Sequence, residues 1–239
     1  MASFVRIHGL QKIYSFWNLS GFIIFTKFTP LKFITSEDLF QGQKVTVALG
    51  QRGSNFCNGC GGSFAVIEKE NGPDPIFVAG GGAYSDKDSA YAEASVSQNG
   101  KGNDRTGTSG LQSFWENDEN NLYCAGAGFH EAPIVGELVA DSVPPQSYAQ
   151  GLKGGEGKDS GGDLEKGGFE GGGANYYRNN KWYYGAGGGF TGGSTRVREG
   201  SSEYCDGGGA GSFSIDPSAT FDHFHVRYGQ CKIEFLTDL

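Results

Sequence analysis

The sequence predicts a mainly β, glycine-dense fold with little α-helix. Three observations carry this. Glycine takes 42 of the 239 positions, more than double the ~7% of an average protein, and each glycine inside a helix costs about 1 kcal/mol relative to alanine. Aromatic residues make up 13% of the chain, whereas disordered chains are poor in them. Short apolar runs alternate with a period of two and end in turn residues, the pattern of half-buried strands. Collagen is excluded, because no Gly-X-Y period runs and only 7 prolines occur.

Residues 1–30 stand apart. They are poor in glycine and rich in aromatics, and they form an atypical N-terminal segment ahead of one glycine-rich β domain over residues 31–239. Residues 32–34 and 44–49 are short β-rich runs. In the second, Val45, Val47 and Leu49 alternate with Thr46 and Ala48. Gly50-Gln51-Arg52-Gly53 then turns the chain. Residues 63–68 and 75–79 read as a β-hairpin around the turn cluster 70–74, with Phe64, Val66, Ile76 and Val78 as its apolar content. Residues 84–121 read as a long polar loop with a short element over 111–115. Residues 132–149, with Pro133, Pro144 and Pro145, are an irregular connection. Arg178-Asn179-Asn180-Lys181 reads as a hairpin turn between two aromatic runs. Residues 221–236 read as a terminal strand pair or one bulged strand around Gly229.

Residues 151–211 hold 22 glycines. They are not a flexible linker, since Gly-Ser linkers lack aromatics. Each block abuts an aromatic or β-branched residue, as in Gly168-Phe169, Gly189-Phe190 and Ser212-Phe213. A glycine run has no side chain to bury, so it orders only where backbone packs on backbone. Left-handed extended helices with three residues per turn pack in this way, as in collagen. The flanking Phe, Tyr and Trp would then wall the bundle, and the alternative is a floppy surface loop.

The formal net charge is −8. A phosphate-backbone binder needs a basic face, and none is evident, so the sequence predicts no nucleic-acid partner. The most apolar stretch, 22–33, is interrupted by Lys27, Pro30 and Lys32 and is too short to span a bilayer, so no direct membrane insertion is predicted. Arg6 and Lys12 precede an apolar run over 13–25. That run contains Asn18 and Ser20, and no small-x-small cleavage site follows it, so no clear signal peptide is read.

The five cysteines are Cys57, Cys60, Cys124, Cys205 and Cys231. Cys57-Asn58-Gly59-Cys60 lacks the second ligand pair of a zinc site and the following helix of a redox motif. The expectation is a local Cys57–Cys60 disulfide in a turn, with free thiols as the alternative.

Enzyme motifs fail on inspection. Residues 154–160 depart from the phosphate-loop pattern, because Asp159 follows Lys158 where Ser or Thr is needed. Residues 187–192 fit GxGxxG formally but lack a βαβ context. His223 and His225 share one strand face, with Asp216 or Asp222 as further metal ligands, or are two solvent-facing histidines. Glu116, Asp118 and Glu119 read as solvated charge. Asp86, Asp88, Asp159 and Asp163 are loop acids without EF-hand spacing. No cofactor is predicted. Tyr176 and Tyr177, with Trp182 and Tyr183, form the candidate protein-binding cluster. They are either an exposed hot spot or walls of the glycine bundle.

The order of these features carries a resemblance over residues 32–239. It runs from strand-Gly50-Gln51-Arg52-Gly53, through the hairpin entry 59–64 and Phe77-Val78-Ala79-Gly80-Gly81-Gly82. Cys124-Ala125-Gly126-Ala127-Gly128-Phe129, blocks 167–173, 184–193 and 206–213, and the strand Gly229-Gln230-Cys231-Lys232-Ile233 complete it. In this order the chain resembles the glycine-rich extracellular domain of the anaplastic lymphoma kinase and leukocyte tyrosine kinase receptors. The resemblance implies a jelly-roll-like antiparallel β-sandwich joined to a hexagonal bundle of left-handed polyglycine-type helices. It implies a non-enzymatic extracellular or cell-surface recognition module, with a small basic secreted protein as ligand. Residues 1–29 lack the family's opening strand and glycine turn, as in a truncated or misjoined start. The alternative is a structural or surface-scaffold protein of adhesin-like or coat-like type.

Overall fold

The computed structural model describes residues 4–7, 14–16, 23–26, 29–30, 44–55, 57–85, 88–110, 124–133, 142–178, 180–197, 203–215 and 231–234. The readings at 32–34, 111–115 and 221–230, and those on Asp86, Glu116, Asp118, Glu119, Asp216, Asp222, His223 and His225, lie outside these residues.

The N-terminal strands are β1 (Phe4–Ile7), β2 (Tyr14–Phe16), β3 (Ile23–Thr26) and β4 (Thr29–Pro30). The glycine-rich part opens with β5 (Val45–Ala48), β6 (Ser63–Lys69) and β7 (Gly72–Ala79). One helical turn, α1 (Ser89–Ala92), and a 3-10 turn at Tyr148–Gln150 follow. Then come β8 (Glu156–Lys158), β9 (Leu164–Lys166), β10 (Tyr176–Arg178), β11 (Lys181–Tyr183), β12 (Thr195–Val197), β13 (Tyr204–Gly207), β14 (Phe213–Ser214) and β15 (Cys231–Glu234). The chain is mainly β, with antiparallel sheets and almost no helix among the described residues.

The strands form four sheets, with orders β1-β15-β3-β4, β14-β7-β6-β5-β2, β10-β11-β13-β12 and β8-β9. All pairs are antiparallel except β11 with β13. The N-terminal segment supplies strands to the rest of the chain. Strand β2 pairs with β5, placing Tyr14 opposite Val47, and β1 and β3 flank β15.

The hairpin expected at 63–79 is present as β6 and β7, with Phe64 opposite Val78. Gly72, at φ 119°, makes the turn that a side chain would strain. A bulge between Ala65 and Val66 shifts the register. Alternation predicts one buried face. Here both faces are buried, and Ala65, Ile67 and Phe77 join Phe64, Val66, Ile76 and Val78 in the interior. Ala48, Phe64, Val66 and Val78 pack with Phe129, Leu152 and Phe190, against Tyr148, Phe169 and Phe213. Phe129 stacks on Tyr148 with ring centroids 5.0 Å apart, and Phe190 stacks on Phe213 at 4.4 Å. The aromatic residues that abut the glycine blocks are therefore the ones that meet the sheet.

The glycine blocks lie mostly outside the strands, and their hydrogen bonds follow a different rule. Along 185–190 each successive N–H group donates to a different chain segment. Gly185 donates to Cys57 O, Ala186 to Cys124 O and Gly187 to Gly208 O. Gly188 then returns to the first segment at Cys60, Gly189 to the second at Ala127, and Phe190 to the third at Gly211. The donor and its three acceptors all advance by three residues. The carbonyls of Ala186, Gly187 and Gly188 accept from Gly173, Gly193 and Gly81, so six stretches of backbone surround this one. The approach is too close for a side chain. A Cβ on Gly185 would lie 2.1 Å from Gly173 O, and one on Gly187 would lie 2.0 Å from Gly81 O.

Candidate functional site

The aromatic cluster sits on the sheet β10-β11-β13-β12. Asn180, at φ 60°, closes the hairpin between β10 and β11 at the turn expected from the sequence. Strand alternation then sends the four candidate residues to opposite faces. Tyr176 and Tyr183 are cross-strand partners and turn inward, at 9% and 3% exposure, to pack with Cys124 and Cys205. They are core, which corrects the expectation that all four make one binding cluster. Tyr177 and Trp182 are partners on the other face and are half-buried, with ring centroids 4.9 Å apart. Strand β13 extends that face, because Tyr204 lies opposite Trp182. Its ring lies 6.1 Å from Tyr184, which in turn meets Tyr84 edge-on at 5.0 Å. Tyr184 belongs to the aromatic run read from the sequence, whereas Tyr204, through strand pairing, and Tyr84, through its ring contact, extend the cluster from outside it.

A cation closes one border of this sheet. Arg196 on β12 pairs with the Asp88 carboxylate, and its guanidinium carbon lies 3.8 Å above the Tyr91 ring. Asp88 also accepts from Tyr91 N–H at 3.0 Å and so caps α1. The Arg196 hydrogen bond holds the Asp88 carboxyl below its usual range. Burial pushes the Tyr91 hydroxyl up to about 12, and that hydroxyl donates to Ser194 O at 3.0 Å.

The expected Cys57–Cys60 disulfide is not formed. The reason is geometric. The Cys57 and Cys60 carbonyls accept from Gly185 and Gly188, one three-residue step apart on a parallel neighbour. Each carbonyl is thereby fixed to a different residue of that neighbour, and Cys57 N–H is held by Asn55 Oδ1 at 2.8 Å. Burial raises the Cys60 thiol pKa, opposed by a backbone hydrogen bond at Gly53 and the charge of Arg52.

The nucleotide-like motifs are structural. The N–H groups of Gly187, Gly188 and Gly189 are committed to backbone carbonyls, as are those of Gly155 and Glu156, so neither stretch offers a phosphate cradle. Of the loop acids, Asp159 accepts from Gly161 and Asp163 N–H groups within its own turn, at 2.8 and 2.9 Å. Among the described residues no group of three or more His, Cys, Asp or Glu converges as a metal site, and no helix is long and apolar enough to cross a membrane.

Sequence reasoning missed Glu170. Inside Gly168-Phe169-Glu170-Gly171 it reads as an exposed charge, yet it is fully buried at φ 78°. Neither carboxyl oxygen has a hydrogen-bond partner among the described residues, and burial raises its pKa well above the usual carboxylate range. Nearby, the hydroxyl of half-buried Tyr148 donates to Glu68 Oε1 at 2.9 Å. No protein-family model matches the chain, and no curated protein matches it.

Proposed function

We propose that the protein is a non-enzymatic extracellular recognition module, and that its binding face is Tyr177, Trp182 and Tyr204. The observation that carries this is three half-buried aromatic rings at paired positions across three strands. Aromatic faces attract Lys and Arg side chains, each contact being worth about 0.5–1 kcal/mol at exposed sites. The cation beside this face, Arg196, is already held by Asp88, and the whole chain carries −8. A small basic secreted protein therefore fits the face in both chemistry and charge.

The glycine segments serve this reading as a rigid support. They are left-handed helices of polyglycine type, three residues per turn, packed hexagonally beside a β-sandwich. The three-step rotation of donors along 185–190 supports this. So does the backbone of Gly185, Gly187, Gly188 and Gly189, none of which takes a positive φ.

The test is titration with a fluorescein-labelled Lys/Arg-rich peptide. Trp182→Ala should weaken binding roughly 5–30-fold, the range of an interface hot spot, with little change in melting temperature. Equal affinity for wild type, Trp182→Ala and Tyr177→Ala would reject the face. A second reading, a structural or surface-scaffold protein, is favoured by the interlocked glycine backbones themselves. It predicts concentration-dependent self-association in light scattering and no saturable binding of the peptide.

A further inference from the structure

We propose that Cys124 and Cys205 form a disulfide that ties the glycine segment 124–129 to strand β13 when the chain folds under oxidising conditions. Both side chains are buried, at 1% and 0% exposure, in one cluster with Tyr176 and Tyr183, and no bond joins them in this structure. Their backbones are anchored to one short stretch, since Tyr184 N–H donates to Cys205 O at 3.1 Å and Ala186 N–H to Cys124 O at 2.7 Å. Strand β11 sets Tyr183 directly opposite Cys205, so the Cys205 side chain lies on the inward face of the sheet, in the cluster that also holds Cys124. Burial raises the Cys124 thiol pKa, and a negative charge on Cys205 raises it further, as expected of two thiols within electrostatic reach. Cys57 and Cys60, the pair that sequence spacing favours, are not joined.

The chemistry needs a disulfide oxidant, and a small monothiol-derived disulfide such as oxidised glutathione supplies it. The thiolate of one cysteine attacks this oxidant and releases one glutathione thiolate. The second cysteine's thiolate then displaces the other. The two protein thiols lose two protons and two electrons in all, and the oxidant disulfide is reduced to two thiols. Exchange needs thiolate, which burial disfavours at Cys124, so the bond forms before this cluster closes and resists reduction afterwards. The closed loop is about 80 residues, long enough for a large effect on the unfolded chain.

The oxidising compartment rests on the extracellular reading, but the test does not. The full chain is refolded from denaturant in a reduced and oxidised glutathione buffer, then alkylated under denaturing conditions and peptide-mapped. The expected result is a Cys124–Cys205 linked peptide, with Cys57 and Cys60 alkylated. Refolding with excess reductant should lower the melting temperature by roughly 5–15 °C. Cys124→Ala, Cys205→Ala and the double variant should each reproduce that same loss without adding to one another. Alkylation of both Cys124 and Cys205 after oxidative refolding would overturn the proposal, as would a bridge mapped to Cys57–Cys60. The mapping uses the unaltered chain, so it decides even if a variant fails to fold. Binding of the basic peptide is measured separately, so the recognition reading and the disulfide fail independently.

Discussion

In the β5–β6–β7 sheet, side chains do the packing. Phe64, Val66 and Val78 fill the space between strands and aromatic wall, and their backbones bond only to neighbouring strands. In the stretch 185–190 almost nothing projects. Its backbone touches six others, and a single Cβ on Gly187 would overlap a carbonyl. The difference reverses the usual rule for substitutions. The sheet is damaged by losing atoms, and the glycine network by gaining them.

The largest expected effect tests that reversal. Gly187→Ala should yield no stably folded protein, because the obstructing atom is Gly81 O, a backbone atom that cannot turn aside. Overpacking of a yielding core costs about 1–3 kcal/mol, and this site lacks that freedom. A melting temperature within a few degrees of wild type would break the comparison. Next comes Phe129→Ala, which removes the ring joining the two regions, and should cost about 3–5 kcal/mol. Amide exchange should then show β5–β7 and 185–193 losing protection together. Loss confined to one of them would make the regions independent units.

Glu170 sharpens the comparison by charge. Its folded pKa is raised, so the folded state holds its proton where the unfolded state has released it. The stability of the protonated form is fully present below the ordinary glutamate range and is lost as pH climbs toward the raised value. Glu170→Gln should therefore raise the melting temperature at neutral pH, and the gain should shrink on acidification toward about pH 4. A gain independent of pH would assign the effect to backbone or packing instead. The smallest effect separates two adjacent glycines. A Cβ on Gly81 would lie 2.2 Å from Cys60 O, whereas one on Gly82 meets nothing nearer than Ala92 O at 3.4 Å. Gly82→Ala should change stability by no more than about 1 kcal/mol, while Gly81→Ala should behave like Gly187→Ala. Equal denaturation midpoints for the two variants would contradict this geometry.

Much of the sheet was legible in the sequence. Alternation marked the strand of Val45 and Val47, although Thr46 and Ala48 are buried as well, the turn cluster marked the β6–β7 hairpin, and Asn179-Asn180 marked the one between β10 and β11. The aromatic residues beside each glycine block signalled where those blocks meet a core. Pairings across distance were not legible, because a glycine run carries no side-chain pattern to name its neighbour. For the same reason the spacing of Cys57 and Cys60 misled: their carbonyls are bonded to Gly185 and Gly188, distant in sequence. The binding face was half legible. Tyr177 and Trp182 stand out, but their separation from Tyr176 and Tyr183 requires the strand phase, and Tyr204 enters only through the parallel pairing of β11 and β13. Glu170 left no signal, since a charged residue among glycines ordinarily marks solvent.

The surroundings of 185–190 also set a timetable for synthesis. Its partners at Cys57, Cys60, Gly81, Cys124, Ala127 and Gly173 all precede it in the chain, and those at Gly193, Gly208 and Gly211 follow closely. On the ribosome the earlier glycine backbones therefore emerge without the stretch that brings them together. They lack those partners until that stretch arrives, and assembly then needs many long-range closures, the slow regime of folding. Closure of this backbone network therefore waits on residues 185–211.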